Sequence, residues 1–176
     1  MLERHVVLRD GTKVLFRPLM PEDAALYPDF LAEVTPEDLR LRFFAPMRQV
    51  SHELIDRLIH YDPANAMAFI AIAEDSGRML GVVRLHDDPG GNSGEFAILL
   101  RSPLKGRGLG WLLMKHMIAH ARQKGLAHIR GQVLAENSSM LTMCTELGFR
   151  ITDDPSERGV RQVDLPLHEL SSPISP

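Results

Sequence analysis

The strongest constraint on the fold lies in residues 94–124, where an apolar run, a glycine-rich loop and a helical pattern follow one another directly. The run GEFAILL (94–100) is apolar apart from Glu95, as in a largely buried strand. Three glycines then alternate with other residues before an apolar pattern of helical spacing, which Gly125 ends. This succession of strand, loop and helix favours a layered fold of sheet and helices.

The glycine loop has the properties of an anion site. Glycines let backbone N–H groups approach a ligand without hindrance from a Cβ atom. The first N–H groups of the following helix lack partners within the helix, and the helix dipole adds positive potential. Lys105 and Arg107 add charge, so the loop predicts a phosphate or pyrophosphate site, with a plain turn as the alternative. The loop does not fit GxxxxGK[ST], because it has no Gly-Lys pair at that spacing. It does not fit GxGxxG either, because the third glycine, Gly110, comes one residue early.

Sequence patterns on both sides of this loop predict further elements. Asp10-Gly11 indicates a hairpin with a type I′ turn, and Thr35 with Asp38 indicates a capping box. Strands are expected within 5–19 and at 67–74, 79–86, 127–135, 149–151 and 160–165, and helices at 21–34, at 36–46, from 51, and at 137–147. This order predicts an α+β fold around a mostly antiparallel sheet. We expect one domain over residues 1–167 and a flexible tail over 168–176.

Composition excludes several classes of protein. The 176 residues carry a formal net charge of −3, so no basic excess indicates a nucleic-acid partner. No apolar run reaches about 18 residues, and the start is too polar for a signal peptide, so no membrane partner is expected. The single cysteine, Cys144, excludes a disulfide framework and a Cys-based zinc site, and a cytoplasmic location fits. His116 and His120 lack a third ligand, so we expect a solvated helix face and no metal.

A known family has the same combination of features. The stretch Lys105-Gly-Arg-Gly108-Leu-Gly110 resembles the Q/R-x-x-G-x-G/A loop with which GNAT N-acetyltransferases hold the pyrophosphate of acetyl-CoA. The preceding strand, Asn137 after the next strand, and Glu146-Leu-Gly-Phe149 stand where that family has corresponding features. The resemblance extends to about Leu165. It implies a GNAT-type mixed, mostly antiparallel sheet flanked by helices, with acetyl-CoA as co-substrate.

A narrower resemblance concerns the acceptor. Residues 36–44, 51–62 and 66–72 are similar to segments of Pat-type bacterial protein lysine acetyltransferases. This implies that the partner is a protein, namely an acyl-CoA synthetase such as acetyl-CoA synthetase, which such enzymes inactivate by direct transfer to a lysine. Two alternatives stay open: a small amine as the acceptor, or a CoA-binding sensor that has lost catalysis.

The GNAT resemblance also implies roles for particular residues. Glu95 is expected to be the general base at a half-buried position, with Glu136 as a second candidate. Backbone N–H groups near Leu99 or Leu100 are expected to stabilise negative charge on the thioester oxygen. The residues implied to contact acetyl-CoA are Ile98, Leu99, Leu100, Lys105, Gly106, Arg107, Gly108, Leu109, Gly110, Asn137, Ser138, Met140, Leu141 and Cys144.

Three assignments allow two interpretations each. Cys144 lies seven residues after Asn137, where many family members have a tyrosine general acid, but a small buried core residue is the alternative. Asn137 can contact CoA, cap its helix, or do both. The basic and aromatic cluster Arg40, Arg42, Phe43 and Phe44 either shapes the acceptor site or packs its short helix.

Overall fold

The computed structural model describes residues 2–167, and its centre is one eight-stranded sheet. The strands are β1 (Arg4–Val7), β2 (Lys13–Pro18), β3 (Ala66–Ala73), β4 (Met79–Asp87), β5 (Ser93–Leu100), β6 (His128–Leu134), β7 (Arg150–Asp153) and β8 (Val160–Pro166). Their order in the sheet is β1-β2-β3-β4-β5-β6-β8-β7. Every neighbouring pair is antiparallel except β5 and β6, which are parallel.

Helices cover both faces of this sheet. The first face carries α1 (Tyr27–Ala32), α2 (Pro36–Phe43) and α3 (His52–Ile59), and the second carries α4 (Leu109–Lys124) and α5 (Ser138–Leu147). Alternation along β4 supplies both cores, because Val82 packs among the first group of helices and Val83 packs under α4. The α+β class with a mostly antiparallel sheet is confirmed. The expected tail, residues 168–176, lies outside the described residues.

The pairing of β5 with β6 is short, and this opens the sheet. Only three residue pairs join the two strands, and Glu95 opposite Arg130 is the last of them. Beyond Glu95, β5 stays paired with β4 as far as Leu100, while β6 stays paired with β8 as far as Leu134. The two halves of the sheet therefore separate into a V whose apex is at Glu95.

The first hairpin differs from the predicted type I′ turn. That turn needs positive φ at both central residues, but only Gly11 has it here, at 89°. The Gly11 N–H donates to Leu8 O at 2.9 Å, and the Leu8 N–H donates to Thr12 O at 2.9 Å, which makes a three-residue loop. The Asp10 carboxylate accepts a hydrogen bond from the Thr12 N–H at 3.0 Å and stabilises this shape.

The first two helical segments are shorter than predicted. Residues 21–26 form a 3₁₀ helix, and α1 begins only at Tyr27, because Pro28 has no N–H with which to continue one long helix. Helix α2 ends at Phe43, since Phe44 takes a left-handed conformation with φ of 62°. The Thr35 hydroxyl caps α2 as expected, but Asp38 does not complete the box and instead pairs with Ser102 and Lys105.

The prediction of a solvated histidine face on α4 is wrong for His116. Its side chain is buried, its ring packs against Phe69 and Phe16, and its Nε2 lies 3.0 Å from Leu2 O. Burial lowers the pKa of His116, so the imidazole is favoured in its neutral form. No helix between residues 2 and 167 is long and apolar enough to cross a membrane.

Candidate active site

The opening between β5 and β6 contains a cavity of about 740 Å³. One end is lined by Glu95 and by side chains of α2, and the other end by the glycine loop and the first turn of α4. Helix α5 and the end of β6 form the wall opposite β5. The parallel strands, which diverge after Glu95, thus produce an elongated channel that connects a carboxylate to an anion-binding loop.

The main chain of β5 presents unpaired groups to this channel. Hydrogen-bonded residue pairs alternate along an antiparallel ladder, and the bond from Arg101 N–H to Leu80 O, 3.0 Å, fixes their phase between β4 and β5. Residues 95, 97 and 99 therefore bond to β4. The N–H and C=O groups of Ile98 and Leu100 point toward β6, which has already separated. Donors are thus available at Ile98 and Leu100, whereas the Leu99 N–H is already used.

The glycine loop has the geometry of an anion cradle. Gly106 and Gly108 have φ values of 82° and 91°, a region that residues with side chains rarely adopt. Gly108 is the N-cap of α4 and provides no side-chain cap, so the first N–H groups of that helix are open to a ligand. Gly110 packs closely on the channel wall, since a Cβ there would lie 3.3 Å from Leu100 Cδ1. These features fit a pyrophosphate group.

Cations surround this loop unevenly. Lys105 lines the channel, and its Nζ lies 2.7 Å from Asp38 Oδ1 on α2. Arg107 does not line the channel and lies 3.5 Å from Asp10 Oδ2 in the first hairpin. Arg9, in the same hairpin loop, does line the channel, and its Nε is 4.0 Å from the position of a Cβ at Gly108. Sequence reasoning missed Arg9, because it is about 100 residues from the loop along the chain.

Glu95 lies at the apex of the V and lines the channel. It was expected to be half-buried but is exposed. Within residues 2–167 its carboxylate accepts no hydrogen bond, so it is available to an incoming donor. The second candidate, Glu136, is bound to the Arg40 guanidinium, which also pairs with Glu37 at 2.7 Å, and Glu136 does not line the channel.

Helix α2 supplies the wall of the channel near Glu95. Arg42, Phe43 and Phe44 line the channel, whereas Arg40 does not, so three members of the basic and aromatic cluster face the site. The Arg42 guanidinium carbon lies 4.5 Å from the centre of the Phe43 ring. Burial and the neighbouring Arg84 lower the pKa of Arg42 to about 10. Phe44 adopts positive φ here, which is uncommon for an aromatic residue and occurs at functional sites.

Helix α5 turns a different face to the channel from the one expected. Asn137 and Met140 line it as predicted, and Asn137 also caps the helix by accepting from the Met140 N–H at 3.3 Å. The other lining positions on this helix are Ser139, Thr142, Met143 and Glu146, and they do not include the predicted Ser138, Leu141 and Cys144. Leu109, at the start of α4, is also buried in the core and does not line the channel.

Cys144 belongs to the hydrophobic core. Its side chain is fully buried, and burial raises the pKa of the thiol to about 12. A free thiol titrates near 8.5, so this group would donate a proton to a departing thiolate against a gradient of about three orders of magnitude. The interpretation as a core residue is therefore the one that the geometry favours.

The channel, the glycine loop and the parallel break in the sheet define a class of acyl-CoA-using transferases, and comparison with known proteins gives the family. Residues 13–150 match the model of the Acetyltransferase (GNAT) domain. The chain therefore belongs to the GNAT family, whose members use acetyl-CoA as the acetyl donor for N-acetylation. This confirms the class of enzyme and the co-substrate that the sequence resemblance implied.

Particular relatives narrow the comparison. An acetyltransferase of Pseudomonas aeruginosa is 32% identical over 152 residues, which are 85% of this chain and 82% of that protein. The crystal structure of the GNAT domain of S. lividans Pat superposes with a TM-score of 0.86 at 29% identity, covering 94% of this chain and 97% of that domain. The acetyltransferase Pat of Mycolicibacterium smegmatis is 24% identical over 92% of this chain, which spans only 48% of that protein's length.

Proposed function

We propose that this chain is a protein lysine N-acetyltransferase that acetylates, and thereby inactivates, acyl-CoA synthetases such as acetyl-CoA synthetase. One observation carries this proposal. The segments whose sequence is similar to Pat-type enzymes, 36–44 and 51–62, contain α2 and α3, and α2 forms the channel wall at Glu95. The resemblance thus extends to the region where the acceptor enters, in addition to the loop that GNAT enzymes share.

The glycine loop would hold the phosphates of acetyl-CoA. The open N–H groups at the start of α4 and the Lys105 ammonium face the same end of the channel. Arg9 adds a second cation there from the first hairpin. A helix N-terminus with adjacent cations stabilises a pyrophosphate without any base-specific contact. This end of the channel therefore supplies affinity and orientation, and the chemistry lies about one strand length away.

The exposed main chain of β5 would position the reacting thioester. The N–H groups of Ile98 and Leu100 are the donors without partners in the sheet, so one of them would bind the thioester oxygen as negative charge develops on it. An extended ligand arm can use the same unpaired edge as an added strand. Of the two donors predicted for this role, Leu100 is therefore kept, and Ile98 replaces Leu99.

Glu95 would accept the proton that the lysine ammonium must lose before attack. The neutral amine then attacks the thioester carbon, the new C–N bond forms, and the C–S bond breaks with both electrons left on sulfur. The attacking nitrogen still carries one excess proton, which it releases to solvent as the amide forms. Solvent protonates the thiolate, because the buried Cys144 is too weak an acid. Since Cys144 is also inaccessible, the acetyl group passes directly to the acceptor without an acetyl-cysteine intermediate.

Replacing the carboxylate separates the two candidate bases. We expect Glu95→Gln to lower kcat at saturating acetyl-CoA and acceptor by about 10²- to 10⁴-fold, the usual contribution of a general base. The matched variant Glu136→Gln should keep most of its turnover, since Glu136 is bound to Arg40 outside the channel. Steady-state release of CoA measures both. Unchanged kcat in Glu95→Gln would show that another group takes the proton.

The acceptor is tested with labelled acetyl-CoA and two panels, one of acyl-CoA synthetases and one of small primary amines. Label on a synthetase lysine, with loss of synthetase activity, supports the proposal. Label on small amines alone contradicts it and assigns a small-molecule acceptor. Binding of acetyl-CoA without transfer to either panel also contradicts it and leaves a CoA-binding module.

A further inference from the structure

Arg42 differs from Arg40 and Arg84, the other two arginines near the part of the channel wall that contains Glu95, and it is less exposed than the channel-lining Arg9. Arg40 pairs with two glutamates, and Arg84 donates to Leu58 O at 2.7 Å and to the Tyr27 hydroxyl at 3.0 Å. Among residues 2–167, the Arg42 guanidinium has neither a hydrogen-bond acceptor nor a carboxylate within ion-pair distance. Its guanidinium carbon lies 4.5 Å from the centre of the Phe43 ring. A cation is therefore kept in the channel wall without the countercharge that usually accompanies it.

The titratable groups around Arg42 do not neutralise it. Strand β4 contributes Arg84 and His86, β5 contributes Glu95, and α1 contributes Tyr27. Burial raises the pKa of Tyr27, and burial together with Arg84 lowers the pKa of His86, so both side chains are neutral near pH 7. Two guanidinium groups then lie near the one carboxylate of this part of the wall, that of Glu95, while Glu146 lines the channel from α5. The remaining acid of α2 near the channel, Asp38, is paired with Lys105.

An acceptor ammonium placed beside Glu95 would meet this positive field. A like charge nearby disfavours the charged form of a titratable group. A lysine amine must be neutral to attack, yet free in water it holds its proton until about pH 10.4. Arg42 and Glu95 line the same channel. An unpaired cation therefore lies near the point where the acceptor ammonium must lose its proton.

We infer that Arg42 is a positioning residue that favours the neutral, nucleophilic form of the acceptor amine at Glu95. The inference rests on the proposed function in one respect, that the acceptor is an amine deprotonated beside Glu95. Arg42 works through space and forms no bond with the substrate. The Arg84 guanidinium on β4 adds to the same positive field, and its hydrogen bonds to Leu58 O and the Tyr27 hydroxyl fix its orientation.

The test is the pH dependence of kcat, because the limbs of that profile report groups in the enzyme–substrate complex. The acceptor is a synthetase lysine labelled in the panel above, offered as a terminally blocked peptide. In Arg42→Gln the acid limb should move to higher pH, which lowers kcat about tenfold per pH unit of displacement. Raising the pH should restore kcat. Arg42→Lys keeps the charge and should keep the wild-type limb, and Arg48→Gln, an exposed arginine outside the channel, is the control.

A second acceptor distinguishes the amine from Glu95 as the titrating group. In a peptide with S-aminoethylcysteine in place of lysine, the amine is less basic, so the limb should move to lower pH and Arg42→Gln should lose less activity. The inference is overturned if Arg42→Gln lowers kcat by the same factor at every pH. It is also overturned if the acid limb stays at the same pH when the less basic amine replaces lysine. If Arg42→Gln fails to fold, Arg42→Met retains the packing on Phe43 and is read in the same way.

The two proposals fail in different ways. If the panels label no protein lysine, the proposed function has failed, and the same pH titration is then made with the small amine that is labelled. If a synthetase lysine is labelled but Arg42 does not move the acid limb, the proposed function stands and the role of Arg42 is wrong.

Discussion

At the scale of single residues, burial decides what a side chain can do more than its chemical type does. Cys144 stands at the sequence position of a general acid, yet it is fully buried and its pKa is raised to about 12. Glu95 stands in an apolar strand, yet it is exposed at the one point where the strand pair ends. Arg42 lies unpaired in the channel wall, and we infer that it supplies positive potential there.

Removing the thiol tests its exclusion from the chemistry. Cys144→Ala should leave kcat and its pH profile unchanged, because no proton passes through a group outside the channel. It should lower the free energy of unfolding by about 1 kcal/mol through the small cavity left in the core. Urea unfolding and steady-state kinetics measure the two effects. A pH-dependent loss of kcat at unchanged stability would instead show that the thiol is an acid.

Local sequence determines the backbone geometry of some of the predicted site residues and leaves that of others open. The glycine loop could be predicted, because positive φ and an uncapped helix start follow from the sequence Gly-Arg-Gly-Leu-Gly itself. The face of α5 that lines the channel could not be predicted. The sequence around Asn137, Ser138 and Leu141 does not show which side of the helix faces the channel until the tertiary packing is known. Arg9 reaches the channel only because β1 and β2 lie at the edge of the sheet nearest α4.

At the scale of elements, the decisive feature is the short pairing of β5 with β6. The strands themselves were predictable from apolar runs, and their bounds are confirmed to within a few residues. The end of their pairing at Glu95 could not be predicted, because nothing in the local sequence of either strand requires the ladder to stop there. The predictions for the hairpin turn, for one helix over 21–34 and for the end of α2 were wrong. The hydrogen bond from Thr12 to Asp10 shapes the turn, Pro28 interrupts the helix, and the left-handed Phe44 ends α2.

The phase of the β4–β5 ladder yields a measurement at single amides. On addition of acetyl-CoA without an acceptor, hydrogen exchange at the Ile98 and Leu100 amides should slow, because their N–H groups face the channel and gain partners there. The Leu99 amide should change less, since it already bonds to β4. Exchange followed by NMR resolves neighbouring positions. Protection confined to Leu99 would place the ligand on the opposite side of the strand and contradict the oxyanion assignment.

At the scale of the whole molecule, the sheet consists of two halves joined by a short pairing of strands. Strands β1–β5 form one half and β6–β8 the other, and three parallel residue pairs join them. Helices α4 and α5 reinforce the junction through the core beneath it. Glu95, the unpaired main-chain groups of β5 and the glycine loop all lie along this junction, so a ligand that fills the channel contacts both halves at once.

Acetyl-CoA should therefore raise the free energy of unfolding of the whole fold. A ligand at 100 times its Kd that binds only the folded chain adds about 2.7 kcal/mol. For a chain of this length each kcal/mol raises the midpoint of thermal unfolding by roughly 2–4 °C, so a rise of about 5–10 °C is expected. At the same ligand concentration, the unfolding midpoint of Arg9→Gln should rise less, because this variant loses a cation beside Gly108. Arg4 is exposed in β1 and does not line the channel, so Arg4→Gln should show the same rise as the wild type. An equal rise in both variants would remove Arg9 from the phosphate site, and no rise in the wild type would mean that the channel does not hold acetyl-CoA.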